Sequence, residues 1–316
     1  MNNKILIKGT LKPFNKVINI EGDKSLSIRW ALLASQSIGK STATNLLKSE
    51  DVLNTINCLK KLGVKISLFK NKCEIYGLGI NGYKYKKNII LNAGNSGTLA
   101  RLIMGLLVHS KNKIKIIGDE SLSKRDFLRV TKPLEKFGAK FETNFGKLPI
   151  VIKGTKSPTP INYYENKGSA QCKSAIMLAA LNTRGQTIIK AKKSRNHSEL
   201  FFKHLKIPIK ISKKNKYDLI KIKGKKKIRS FNYQISSDIS SAAFFIVLTA
   251  LSKNSKINLK NININPSRIG ILKILKMMGV KILLKNIKNY KGERIADIIV
   301  KSTKSFKSIK CPSTLN

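Results

Sequence analysis

The sequence predicts an α/β repeat protein of about four units, each of about 70 residues. Three observations carry that expectation. A helix end followed by a strand recurs as NCLKKLGVKIS (57–67), KPLEKFGAKFE (132–142) and KILKMMGVKIL (273–283), with a degenerate copy, FKHLKIPIKIS, at 202–212. Aligned at Gly63, Gly138, Pro208 and Gly279, the copies lie 75, 70 and 71 residues apart. A second repeat runs in phase with the first: GDKSLSIRWALLA, GNSGTLARLIMGLL, GSAQCKSAIMLAAL and SSDISSAAFFIVLTAL each join a small polar turn to an apolar helix. Their turns, near Lys24, Ser96, Ala170 and Ile239, are spaced by 72, 74 and 69 residues. The third observation is bulk: 316 residues with 41% hydrophobic and 7% aromatic content can bury a core and exclude a disordered or collagen-like chain.

Taken in order, each unit reads turn, helix, strand, helix, Gly, strand, strand. The Gly/Ser-rich turn precedes an apolar run that marks the first helix. The second helix closes on Leu-Lys-x-apolar, and Gly supplies the left-handed residue that stops it. An alternating Val-Lys-Ile strand follows. No Pro- or Ser-rich linker separates the units.

Several function classes drop out on composition. The longest uncharged apolar run, Ala242 to Leu251, has ten residues, about half of a membrane-spanning helix. MNNKILIKGT has neither the apolar core of a secretory signal nor a transit-peptide character. Cys58, Cys73, Cys172 and Cys311 form no CxxC pair and read as thiols of a reducing cytoplasm. The 63 Lys+Arg against 16 Asp+Glu give a formal charge of +47, which invites a nucleic-acid reading. The split argues against it: nine Arg leave 54 Lys, spread over the whole chain among many Ile and Asn. These are residues of A/T-rich codons, so the excess reads as drift onto solvated surface. An RNA-binding aromatic signature is missing.

The repeated turns point to an anion site. A helix N-terminus offers unpaired N–H groups and partial positive charge. A single turn of this kind is ordinary helix capping; four in phase suggest helix ends aimed at one point. Six of the nine arginines, Arg29, Arg101, Arg125, Arg129, Arg195 and Arg268, fall in these turns or in compact polar segments such as SLSKRDFLR and SRNHSE. In a Lys-rich chain Arg marks where a planar bidentate fork meets phosphate or carboxylate. With acids scarce, the arginines are expected to serve a multi-anionic small substrate rather than internal ion pairs.

Other motifs are decoys. IGKST (38–42) lacks the P-loop glycine, because Ala34 stands there. His109, His197 and His204 have no metal-ligand spacing, and His197 is expected at the surface or behind the site. Cys172 in GSAQCKSA has no adjacent base and reads as packing.

GDKSLSIRWALL, LKSEDVLNTINCLKKLG, GNSGTLARLIMGLL, GDESLSKRDFLRV, GSAQCKSAIMLAAL, SRNHSE, DISSAAFF and NPSRIGILKILKMMG together resemble the 5-enolpyruvylshikimate-3-phosphate synthases. The similarity is collinear from about residue 20 to 305. It implies an inverse α/β fold in which repeats of this length build two domains around an active-site cleft. Residues 15–230 would form one complete three-unit domain, and 1–14 with 231–316 an incomplete second one. The implied reaction moves the enolpyruvyl group of phosphoenolpyruvate to the 5-hydroxyl of shikimate 3-phosphate and releases phosphate, in the shikimate pathway to chorismate and aromatic amino acids. Neither cofactor nor metal is implied, and the location would be cytoplasmic. By motif, Lys24 would touch both substrates and take part in proton transfer. Ser25, Arg29, Ser169, Gln171 and Arg195 would hold shikimate 3-phosphate; Gly97, Arg125 and Gln171, with Lys24, would hold phosphoenolpyruvate.

The departures from the family are specific. Asn196 and Ser198 stand where SRDHTE is usual, and Asp126 replaces the Pro after Arg125, an acid that would weaken the local field. Family members extend about 110 residues further, nearly two repeat units, including a catalytic aspartate in an Ile-Asp-Glu segment. KCPSTLN ends where that segment should begin, with Leu315 and Asn316 at the Ile-Asp positions. The sequence therefore leaves open an inactive remnant that only binds shikimate 3-phosphate, or a fragment completed by a separately encoded C-terminal piece. A basic nucleic-acid-binding protein is the reading from another class. The sister transferase acting on a UDP-sugar carries a loop cysteine that GDESLSKRDF lacks.

Overall fold

The computed structural model describes residues 11–224 and 226–312; Leu315 and Asn316 lie outside them. After β1 (Asn15–Ile18), the first repeat forms α1 (Lys24–Ser35), β2 (Ser37–Thr44), α2 (Glu50–Lys61), β3 (Lys65–Leu68) and β4 (Lys72–Leu78). The second forms β5 (Ile89–Asn92), α3 (Gly97–Leu107), β6 (Ile114–Ile117), the short α4 (Glu120–Ser123), α5 (Leu128–Glu135), β7 (Lys140–Asn144) and β8 (Lys147–Lys153). The third comprises β9 (Asn162–Glu165), α6 (Ala170–Leu181), β10 (Gln186–Lys192), α7 (His197–His204), β11 (Ile209–Lys213) and β12 (Tyr217–Lys223). The strands β13 (Ile228–Arg229) and β14 (Asn232–Gln234) precede the fourth: α8 (Ile239–Leu251), β15 (Lys256–Asn263), α9 (Gly270–Met277), β16 (Ile282–Tyr290) and β17 (Glu293–Lys301).

Three sheets share one order, β5-β6-β8-β7, β9-β10-β12-β11 and β1-β15-β17-β16; the second and third repeats supply all their strands, and the fourth takes β1 from ahead of the first repeat. The leading strand pairs parallel and the other two pairings are antiparallel. The first repeat borrows its leading strand from the far end of the third: β13 and β14 both run parallel to β2. Helix-strand-helix-strand-strand is thus the unit, with an extra strand that the sequence reading did not contain.

The chain divides into two compact units, Gly22–Ile235 and a smaller one of residues 11–21 with 236–312. The boundaries differ from the expected 15 and 230 for a physical reason. β1 is bonded to β15 and goes with the smaller unit, whereas β13 and β14 are bonded to β2 and stay with the larger.

The in-phase turns become helix N-caps. Asp23, Ser96, Ser169 and Asp238 each accept a backbone N–H of the first helical turn, from Leu26, Leu99, Cys172 and Ser240. In the larger unit α1, α3 and α6 are buried over nearly their whole length, as helices apolar all round must be. α3 packs on α6 and on α1. A Cβ on Gly105 would lie 2.1 Å from the Ala175 carbonyl oxygen, so only glycine admits this crossing. The second helices are two-faced. α2 buries Val52, Thr55, Ile56, Cys58 and Leu59, and carries acids in its first turn and lysines in its last.

Gly63, Gly138 and Gly279 stop α2, α5 and α9 at φ of +87°, +101° and +93°. In the third repeat the equivalent left-handed residue is Lys206, φ +54°, and not Pro208. The degenerate copy is shifted by two residues, because α7 ends at His204 with Leu205 as its C-cap. In the smaller unit, Ile246, Leu259, Ile262, Ile298 and Val300 anchor a separate core between α8 and its sheet, while Phe244, Leu248 and Leu251 of α8 stay exposed. No helix among the described residues is long and apolar enough to cross a membrane.

Candidate functional site

The first turns of α1, α3 and α6 face one cavity of about 350 Å³ in the larger unit. Lys24, Ser25 and Arg29 reach it from α1, Gly97 and Thr98 from α3, and Ala170 and Gln171 from α6. Asp51, Asn95, Arg125 and Arg195 complete the wall. Seven of the eight residues singled out in the sequence are brought together here. The exception is Ser169, absent from the lining: its hydroxyl accepts Cys172 N–H while its own N–H goes to Glu165 Oε2. Three helix N-termini and four cationic side chains thus face a single space, and among the described residues the one carboxylate in the wall is Asp51, 3.2 Å from Lys24 Nζ.

Arg125 and Arg29 in the wall, and Arg101 next to it, are oriented by neighbours. Arg125 donates through Nη2 to Asn95 Oδ1 at 3.0 Å, and Asn95 donates on to Asp119 Oδ2. The Asp119 carboxyl is held below the usual range chiefly by the Leu122 N–H and then by Asn95. Arg29 sits only 5% exposed. It donates from Nε to Ser198 Oγ at 2.9 Å, from Nη2 to Ser174 Oγ at 3.2 Å and from Nη1 to the Ser25 carbonyl at 3.1 Å. Arg101, 4% exposed, donates to Gln171 Oε1 at 2.9 Å, and the Gln171 amide donates to Thr98 Oγ1 at 3.0 Å. Burial, with Arg129 and Arg125 nearby, pulls the Arg101 guanidinium down to about 10, so it is cationic at neutral pH. A Cβ at residue 97 would stand 2.7 Å from Arg101 Nη1 and 3.1 Å from Arg125 Nη1. Glycine there leaves room for two guanidinium groups at a helix N-terminus.

Some expectations change. Asp126 Oδ1 accepts Leu128 N–H at 2.8 Å at the start of α5, and its charge reaches the neighbouring Arg101 guanidinium. Ser198 supplies the hydroxyl that fixes Arg29, so this departure from the family pattern keeps a hydrogen-bonding oxygen in place. Arg268 does pair with an acid, Asp238 Oδ1 at 2.9 Å in the smaller unit, against the expectation that arginines avoid internal ion pairs. His197 is 1% exposed within α7 and is not a surface residue. Cys172 is buried, donates to the Arg129 carbonyl, and its thiol is pushed up to about 12 chiefly by burial, which suits packing. No cluster of metal-ligating side chains exists among the described residues. Sequence reasoning missed Asp51, Asn95, Thr98 and a buried pair, Lys173 with Glu199. A lysine inside the apolar run CKSAIMLAAL was the one visible signal for that pair.

Four sheets of one topology, with a cavity that gathers guanidinium groups and helix N-termini, define an α/β repeat protein with a cationic pocket. The EPSP synthase (3-phosphoshikimate 1-carboxyvinyltransferase) family model matches residues 9–311, and the chain belongs to that family. It is 41% identical over 312 residues to the 3-phosphoshikimate 1-carboxyvinyltransferase of Ruthia magnifica subsp. Calyptogena magnifica, covering 98% of this chain and 70% of that protein. The enzyme of the same name from Thermoanaerobacter sp. (strain X514) is 40% identical over 292 residues, covering 91% and 67%. A solved EPSP synthase from Acinetobacter baumannii superposes with a TM-score of 0.86 at 35% identity, covering 97% of this chain and 68% of that one.

Proposed function

We propose that the cavity takes shikimate 3-phosphate and phosphoenolpyruvate and that the chain transfers the enolpyruvyl group between them. The oxygen of the acceptor's 5-hydroxyl bonds to the enol carbon of phosphoenolpyruvate. The bond from that carbon to the phosphate oxygen breaks, inorganic phosphate leaves with its electron pair, and the proton lost by the 5-hydroxyl ends on the phosphate. The observation that carries this reading is the convergence of Lys24, Arg29, Arg125 and Arg195 with three helix N-termini on one small cavity. Each substrate brings a phosphate and a carboxylate, and preorganised donors of this kind stabilise charge that shifts between such groups.

In this assignment Arg29, Arg195 and Ser25 hold the acceptor, with Ser169 presenting the capped end of α6. Arg125 holds phosphoenolpyruvate beside Gly97, and Gln171, clamped between Arg101 and Thr98, faces both substrates. Lys24, at the cavity mouth beside Asp51, moves the proton. None of the four cysteines is in a disulfide, which supports a reducing cytoplasmic setting.

The test is phosphate release from the two substrates with the purified chain, alongside calorimetric titration of shikimate 3-phosphate. Turnover that needs both substrates supports the reading. A chain that neither binds shikimate 3-phosphate nor releases phosphate overturns it.

A further inference from the structure

Behind the cavity, α6 and α7 share an ion pair that the reaction does not use. Lys173 Nζ lies 2.6 Å from Glu199 Oε1, with side chains 0% and 3% exposed. Glu199 Oε2 meets no hydrogen-bond partner among the described residues. A dehydrated pair with so little support is a poor stabiliser, since apolar residues of similar volume commonly serve as well or better. Its place in the chain gives it another purpose. Lys173 precedes Ser174 on α6, Glu199 follows Ser198 on α7, and these two serines hold the Arg29 guanidinium.

The protons of that network have one consistent arrangement. Ser174 donates to the Ala170 carbonyl at 2.6 Å. Its oxygen, 2.7 Å from Ser198 Oγ, therefore accepts the Ser198 hydroxyl as well as Arg29 Nη2. Ser198 in turn accepts Arg29 Nε. The network works only while α7 keeps Ser198 against Ser174.

We infer that Lys173 and Glu199 are positioning residues: their ion pair pins α7 to α6, keeps the two hydroxyls together and so fixes the plane of Arg29 toward the cavity. The inference rests on the reading of Arg29 as a group that holds the acceptor. Its structural half can be read without any ligand, through exchange of the Arg29 Nε–H with water. That resonance is assigned by its loss in Arg29→Lys.

The variants are Lys173→Met/Glu199→Met, which removes both charges without stranding one, and Glu199→Gln, which keeps the shape of the side chain but leaves the Lys173 charge without its partner. Ser198→Ala and Ser198→Thr test the hydroxyl, and Phe202→Leu serves as a control that loosens α7 elsewhere. The double variant and Ser198→Ala are expected to exchange the Arg29 proton at least tenfold faster. They should also bind shikimate 3-phosphate about tenfold more weakly, the scale of a lost hydrogen bond to a charged group. Glu199→Gln is expected to move both in the same direction and to lower Tm as well, because Lys173 stays buried without its counter-charge. Ser198→Thr retains both properties, and Phe202→Leu lowers Tm while leaving both unchanged. Exchange and affinity within twofold of wild type in a folded double or Glu199→Gln variant overturn the inference. If exchange responds as stated but the wild type does not take shikimate 3-phosphate, the functional reading falls and the positioning role stands.

Discussion

Lys24 is the residue on which the chemistry is placed, and its setting separates function from stability. Its side chain is 48% exposed and its ion pair with Asp51 is on the cavity wall, where such a pair adds little to folding. Lys24→Met should therefore leave Tm nearly unchanged while phosphate release falls by about 100-fold or more, the usual worth of a positioned proton-transfer group. Equal loss of Tm and turnover would place Lys24 in the scaffold instead. The thiols behave in the opposite way. Burial pushes Cys58, Cys73 and Cys172 from the ordinary 9.0 to about 12. Below pH 9 folded and unfolded thiols are alike protonated, so these groups favour neither state. As pH rises from about 9 toward 12 only the unfolded thiols ionise, and folding loses stability. At pH 8 all three should resist alkylation in the native chain and react once it is unfolded in urea; prompt native labelling of Cys172 would contradict its burial. At this scale the sequence was partly legible. Arg29, Arg125 and Arg195 stood out because Arg is scarce in this chain. The Lys173–Glu199 pair did not, because its partners lie 26 positions apart and only folding brings α6 beside α7.

The helix stops carry the element-scale argument. Gly63 and Gly279 both have φ above +80°, yet a Cβ at Gly63 would stand 2.3 Å from the Lys84 carbonyl oxygen, whereas at Gly279 the nearest atom is 3.8 Å away. Gly279→Ala should cost about 1 kcal/mol, the left-handed penalty alone, and Gly63→Ala clearly more, because backbone must move. Lys206 holds the same conformation with a side chain, so Lys206→Gly should stabilise by up to about 1 kcal/mol. Urea midpoints rank the three variants, and a destabilised Lys206→Gly would refute the assignment of Lys206 as the helix stop. The repeat itself was legible because period and Gly stop are local features of the chain. The shifted third copy was not, since Pro208 imitates the glycine in position only. Nor were β13 and β14: strands of two and three residues have too little alternation to show, and their pairing with β2 spans the whole larger unit.

At the scale of the molecule, a formal charge of +47 acts on folding and on binding with opposite signs. Lysines spread over the surface repel one another, and this self-repulsion opposes the compact state. Screening shortens the reach of such forces from about 30 Å at 0.01 M salt to about 3 Å at 1 M. Added sodium chloride should thus raise Tm, most steeply at low concentration. The same screening weakens the attraction between an anionic substrate and a wall holding Lys24, Arg29, Arg125 and Arg195, so affinity for shikimate 3-phosphate should fall over the same range. The buried contacts of Arg29 with Ser174 and Ser198 are shielded from salt, so the fall should level off once the long-range part is gone. Thermal melts and calorimetric titrations across a salt series read both trends. A Tm that drops with salt would show that local ion pairs outweigh the surface repulsion. An affinity indifferent to salt would show that short-range hydrogen bonds, rather than the field of the cations, bring the substrate in.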